Sequence, residues 1–274
     1  KGILLALDHT PASLEARKLA IHLAQKHHAA VQGIAVVDPG IVAPPEPTPI
    51  GGEAIKEHKD AVLIEKARGA AVEFAQRFTY ECHEAQIHGE ASVVQGAGKA
   101  SLIAASAAHD VVLLGVDTSF GDEGCALSPL IGGLLRDNPR PLIVTPANAS
   151  TGARTFVAYD GSIPAMRALQ LFCCLQMRQD TEVIVASVDR NAAKATALAD
   201  TGAGFLRDHG YTATTHPVSD GADITTALIE AAKSAEAGMI VAGAYGHRGF
   251  REWLLGTTTE RLLTSSPIPV FIHH

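Results

Sequence analysis

Apolar positions along this chain follow two alternating spacings. Residues 3–8, ILLALD, form a short aliphatic run, and residues 12–27 then place apolar side chains every three or four positions. The run predicts a strand and the wider spacing an amphipathic helix. The pattern continues with strands over 31–37, 82–88, 111–115 and 141–145, and with helices over 54–78 and 98–109. Past residue 153 it starts again. Strands are predicted over 155–159, 182–188, 211–217, 239–243 and 269–272, with helices over 164–178, 191–209 and 223–236. The runs at 111–115 and 239–243 are almost wholly apolar, as parallel strands covered on both faces should be.

The second series repeats the first. GILLALDHTPASLEARKLAIHLA resembles RTFVAYDGSIPAMRALQLFCCLQ, and DVVLLGVD matches GMIVAGAY. Asp8 and Asp160 are 152 residues apart, whereas Gly115 and Gly243 are 128 apart, so the first repeat carries about 24 additional residues. The Pro- and Gly-rich stretch from Asp38, over about 38–60, holds them as a loop that turns helical. Alternating strands and helices imply right-handed crossovers and a parallel sheet. The expectation is two tandem α/β domains, 1–147 and 153–274, joined by TPANASTGAR.

In a doubly wound sheet a ligand sits beyond the carboxyl ends of the strands, where the winding reverses. Asp160 closes the first strand of the second repeat and Gly243 closes its fourth, so the two should meet at one crevice. The stretch GAYGHRGFREWLLGTTTERLL, 243–263, has glycines at 243, 246, 249 and 256. Gly243 and Gly246 allow positive φ and close approach of main-chain N–H groups to a ligand. Gly256 precedes a helix start in which Thr257 and Glu260 have capping-box spacing. Its N–H groups and the Thr257 and Thr258 hydroxyls suit phosphate oxygens. Asp160, an acceptor, suits ribose hydroxyls. Each feature also has a plain structural reading: a tight turn for the glycines, a helix cap for Thr257, and a turn for Asp160-Gly161-Ser162.

Composition narrows the choice of function. The net charge is −7 and no Lys/Arg-rich run occurs, which argues against nucleic acid as a partner. No apolar stretch reaches the ~18 residues of a membrane span, and KGILLALD lacks the layout of a signal peptide. The four cysteines form no Cys-x-x-Cys pair, and Cys173-Cys174 lies in an apolar helical run, consistent with a cytoplasmic protein. QGAGKAS, 95–101, lacks the leading glycine and the Ser/Thr of a P-loop. The thirteen histidines show no zinc-type spacing, and Ser162 is not in a nucleophile elbow. No catalytic residue and no metal ligand is assigned.

Gly243-x-x-Gly246, nine residues, then Gly256-Thr257 resembles the Gly-2x-Gly-9x-Gly-[Ser/Thr] loop of the universal stress protein (UspA-like) family. The opening FVAYDGSIPAMRAL and the ending LLGTTTERLLTSSPIPVFI are similar to that family as well, and the resemblance covers both halves, nearly the whole chain. It implies two tandem Rossmann-like (adenine nucleotide alpha hydrolase-like) domains, each a five-stranded parallel sheet of order 3-2-1-4-5 with helices on both faces. It also implies ATP in the second domain, with Mg²⁺ reached through the phosphates. Asp160 would contact the ribose and the Val188 main chain the adenine edge. Gly243, Tyr245, Gly246, Gly256, Thr257 and Thr258 would surround the phosphates and sugar. The halves would pack as a pseudo-dimer with their final strands adjacent, and the chain could pair further as a homodimer.

The first repeat departs from the pattern. Thr118 stands where the loop has Gly246, Ser128 where it has Gly256, and Pro129 where it has Thr257, with Asp117, Asp122 and Glu123 nearby. That loop should bind ATP weakly or not at all. The leading expectation is a nucleotide-dependent regulator of stress response or signalling. A slow ATP hydrolase is one alternative, with His247 and Asp160 the only nearby groups able to act as a base. An interaction module without nucleotide is the other.

Overall fold

The computed structural model describes residues 1–47, 49, 51–120, 127–218, 223–244 and 256–274. In chain order the first elements are β1 (Gly2–Leu7), α1 (Pro11–His27), β2 (Ala30–Val37), α2 (Pro39–Val42), α3 (Glu53–Glu84), β3 (Gly89–Gln95), α4 (Gly98–Ser106), β4 (Val111–Gly115), α5 (Pro129–Asp137) and β5 (Leu142–Thr145). The second series comprises β6 (Arg154–Ala158), α6 (Ile163–Cys174), β7 (Val183–Val188), α7 (Ala192–Asp208), β8 (Ala213–Val218), α8 (Ile224–Ser234), β9 (Ala237–Gly243), α9 (Thr257–Ser265) and β10 (Val270–His273). The chain divides into two compact units, Lys1–Leu134 and Leu135–His274.

Strands of the first unit run in the order β3-β2-β1-β4, with β2 parallel to both β1 and β3 and β1 parallel to β4. β4 is buried throughout, Val111 to Gly115, because helices cover both its faces. Burying each such Val or Leu side chain contributes about 1.5–3 kcal/mol. The second unit runs β8-β7-β6-β9-β10, the 3-2-1-4-5 order expected of the repeat. All neighbouring pairs in that series are parallel. β5 joins this unit as an antiparallel neighbour of β10, with Ile143 opposite Phe271.

Local chemistry explains the helix starts. Thr10 accepts the Ser13 N–H with Pro11 at the first helical position, and Ser162 does the same for Ala165 ahead of α6. One expected element lies elsewhere. The chain over 82–88 was expected as a strand, but α3 runs on to Glu84 and the third strand is Gly89–Gln95. The reason is helical spacing: Ala71, Ala75, Phe78 and Cys82 are the buried positions of α3 and follow one another at four, three and four residues. α6 stops at Cys174, short of the expected 178, and Gln176 and Arg178 then take positive φ. Arg178 is buried and donates to the Gly152 and Ala153 carbonyls and to Thr155 Oγ1. Among the described residues no helix is long and apolar enough to cross a membrane.

Candidate functional site

Register places the expected site residues of the second unit at one edge. Ala158 of β6 stands opposite Ala186 of β7 and Ala242 of β9. Two residues further along these parallel strands come Asp160, Val188 and Ala244, at a common height on the carboxyl edge. Gly243 closes β9 one residue below. The crevice predicted from the sequence is therefore where strands 1, 2 and 4 of this repeat end.

A cleft of about 320 Å³ opens at the end of β7, walled by the starts of α8 and α9; neither Asp160 nor Gly243 lines it. Val188, Thr257 and Thr258 line it, so three of the expected residues share one cavity. Asp189, Arg190, Asp223, Thr225 and Arg261 also line it, and the sequence reading had missed them. Two signals pointed their way: Asp223 precedes an amphipathic helix as an N-cap should, and Arg261 lies one helical turn beyond Thr257. Asp160 is exposed and does not line the cleft; its Oδ1 accepts the Ser162 N–H and tightens the turn before α6. Tyr245, Gly246 and His247 lie outside the described residues.

The phosphate-facing end expected of α9 differs from the capping box. The N-cap is Gly256, not Thr257, and it supplies no capping side chain. Thr257 and Thr258 are already in the helix, exposed at its first turn. Gly256 has φ −59°, which any residue adopts, and a Cβ there would meet nothing within 4 Å among the described residues. Its glycine is thus not required by conformation, nor by packing against the described residues. Gly243 is the reverse case, since a Cβ would come within 2.4 Å of the Ala165 nitrogen at the start of α6. Close approach of strand to helix is reason enough for that glycine, whatever it does for a ligand.

Charges in the cleft are partly paired. Arg261 donates from Nη1 to Asp223 Oδ1 at 3.0 Å and from Nη2 to Oδ2 at 2.6 Å. Asp223 also caps α8 by accepting the Thr225 N–H. The Arg261 hydrogen bond, aided by that of Thr226, pulls the Asp223 carboxyl down to about 2. Asp189 is likewise held below the usual range by its bond to Lys194. Among the described residues Arg190 has no carboxylate partner, which leaves one cation at the rim. No cluster of His, Cys, Asp or Glu able to hold a metal occurs among the described residues.

The first unit has closed its equivalent edge. Asp8 is buried and accepts the Ser119 and Phe120 N–H groups on Oδ2, and the His9 N–H and Nδ1 on Oδ1. Phe120 sits at φ +57°, a left-handed conformation uncommon for a bulky residue. Thr118 is buried and accepts the Gly115 N–H, and Ser128 accepts the Leu130 N–H at the start of α5. Amides at this edge of the first unit are thus taken by the chain itself. The remaining cavity, about 160 Å³, has a mainly apolar wall that includes Leu7, Val37, Ala70, Phe74 and Phe120.

Comparison with known proteins agrees with this architecture. Residues 154–274 match the model of the Universal stress protein family. A curated relative, Universal stress protein Slr1230 of Synechocystis sp., is 26% identical over 139 residues, which cover 50% of this chain and 48% of that protein. The chain thus spans about half the length of the curated relative it matches. Among solved structures, a universal stress protein from Archaeoglobus fulgidus DSM 4304 is similar at a TM-score of 0.73 and 20% identity, covering 99% of this chain and 95% of that one. A protein of unknown function from Pseudomonas aeruginosa PAO1 gives 0.60 and 14%, with 99% and 92% covered. These identities speak to fold alone. Residues 154–274 thus carry a domain of the Universal stress protein family, and the first unit shares its parallel-strand framework.

Proposed function

We propose that the second unit binds ATP and that the chain acts in the cytoplasm as a nucleotide-dependent regulator, with one nucleotide site per chain. The observation that carries this reading is the cleft itself. Val188 at a strand end and Thr257-Thr258 at an open helix start line one cavity with two arginines. Main-chain N–H groups at a helix start and guanidinium groups are both suited to phosphate oxygens. Gly256 fits the same purpose, because a missing Cβ lets an anion approach the amides. Asp160, next to this edge, would take the ribose, and Gly243, Tyr245 and Gly246 would complete the phosphate loop. Mg²⁺ would come with the phosphates.

Efficient hydrolysis is not part of the proposal. The two cleft carboxylates are held by Lys194 and Arg261, which makes them poor proton acceptors. The first unit contributes no second site, since Asp8 is committed to its own loop.

Calorimetric titration of the whole chain with ATP tests this, alongside mass spectrometry of small molecules released on denaturing the purified protein. One site per chain and released adenine nucleotide are expected. Two equivalent sites would refute the closed first unit, and no binding at all would refute the nucleotide reading.

A further inference from the structure

The Arg261–Asp223 pair on the cleft wall has features that a purely structural ion pair does not need. Both side chains are partly exposed, 54% and 37%, so their attraction is screened and inexpensive to exchange for another anion. Arg261 follows Thr257 by four residues and Thr258 by three, so all three project from one face of α9. An anion seated on the α9 start would lie within that face's reach, and Asp223 is the anion that Arg261 holds in this structure. Asp223 has a second duty, since its carboxylate also caps α8 through the Thr225 N–H and accepts the Thr226 hydroxyl.

We infer that Arg261 is a phosphate-binding residue held in reserve by Asp223, and that a bound polyphosphate competes with Asp223 for its guanidinium. This rests on the nucleotide reading of the cleft and adds to it a named residue and a competitor. A planar guanidinium binds either a carboxylate or a phosphate through two parallel N–H bonds, which makes the exchange nearly isosteric. Because the released carboxylate is the α8 cap, occupancy of the cleft is felt at the first turn of α8. The competition also sets a preference for ligands by their anionic charge, since an uncharged nucleoside has nothing with which to draw Arg261 away.

The test is a double-mutant cycle on the full chain, R261Q, D223N and R261Q/D223N, titrated with ATP and with adenosine. Asn caps a helix about as well as Asp, so D223N keeps α8 capped. R261Q should weaken ATP by about tenfold, the size of a lost charged hydrogen bond, and leave adenosine unchanged. D223N should tighten ATP by about threefold or more, and that gain should vanish in the double variant. Three results would overturn the inference alone: R261Q with wild-type ATP affinity, R261Q weakening adenosine as much as ATP, or D223N without a gain. A D223N gain of full size in the R261Q background would do so too, because it would show only the removal of a negative field. Failure of the wild-type chain to bind either ligand would sink the nucleotide reading as well.

Discussion

Asp8 and Asp160 close equivalent strands but hold different partners. Asp8 is buried and fixes two main-chain amides across the unit, Ser119 and Phe120, each at 2.9 Å. Asp160 is exposed and accepts an amide only two residues away, Ser162, at 2.9 Å. The same residue type at the same place is thus buried in one repeat and exposed in the other.

That contrast predicts opposite responses to alanine. Asp8→Ala leaves two buried N–H groups without an acceptor and should cost about 2 kcal/mol or more. It should also speed amide exchange at Ser119 and Phe120. Asp160→Ala should change stability by less than about 1 kcal/mol, because the residue is exposed, while ATP affinity falls. Chemical denaturation and hydrogen exchange check the first pair of expectations, and titration the last.

Glycines at the strand ends separate in the same manner. Gly243→Ala brings a methyl against the Ala165 nitrogen, and Gly115→Ala brings one within 2.5 Å of the Ala12 carbonyl carbon and the Ser13 nitrogen. Backbone cannot step aside as a flexible side chain can, so each should cost about 1–3 kcal/mol. Gly256→Ala meets nothing within 4 Å among the described residues and should stay within about 0.5 kcal/mol of the parent. Thermal melts of the three variants decide it; a Gly256→Ala loss equal to that of Gly243→Ala would contradict the packing account.

A buried histidine should contribute to the acid sensitivity of the second unit. His273 is buried in β10, and burial, helped by His274 and Arg167, pushes its imidazole down from 6.5 to about 4. The unfolded chain therefore binds the proton more readily between those values, and stability falls as pH drops from 6.5 toward 4. Above 6.5 both states are neutral at this residue and the contribution is constant. Its full size is at most about 3 kcal/mol. His273→Gln should flatten the stability curve across that interval, as denaturant midpoints measured from pH 7 to 4 would show. An unchanged slope would mean that other groups govern the acid limb.

Strand and helix spacing, the repeat and the loop glycines were all legible in the sequence, because period and residue type are properties of the chain itself. From them came the parallel sheet and the meeting of Asp160 and Gly243 at one edge, whereas the order 3-2-1-4-5 and the place of Val188 came from the family resemblance. What sequence spacing could not weigh was competition for a single segment. ECHEAQIH reads equally as a weak strand, and only the packing of Phe78 and Cys82 in the helix decides that α3 runs on through it to Glu84. The same limit applies to Asp8, Asp223 and Arg261. Which amide or guanidinium a carboxylate captures depends on residues 38 to 112 positions away, brought within 3 Å only once the sheet has formed. Sequence determines which groups are available; folding decides which of them are already spoken for, since hydrogen bonds are made with whatever stands nearest in space.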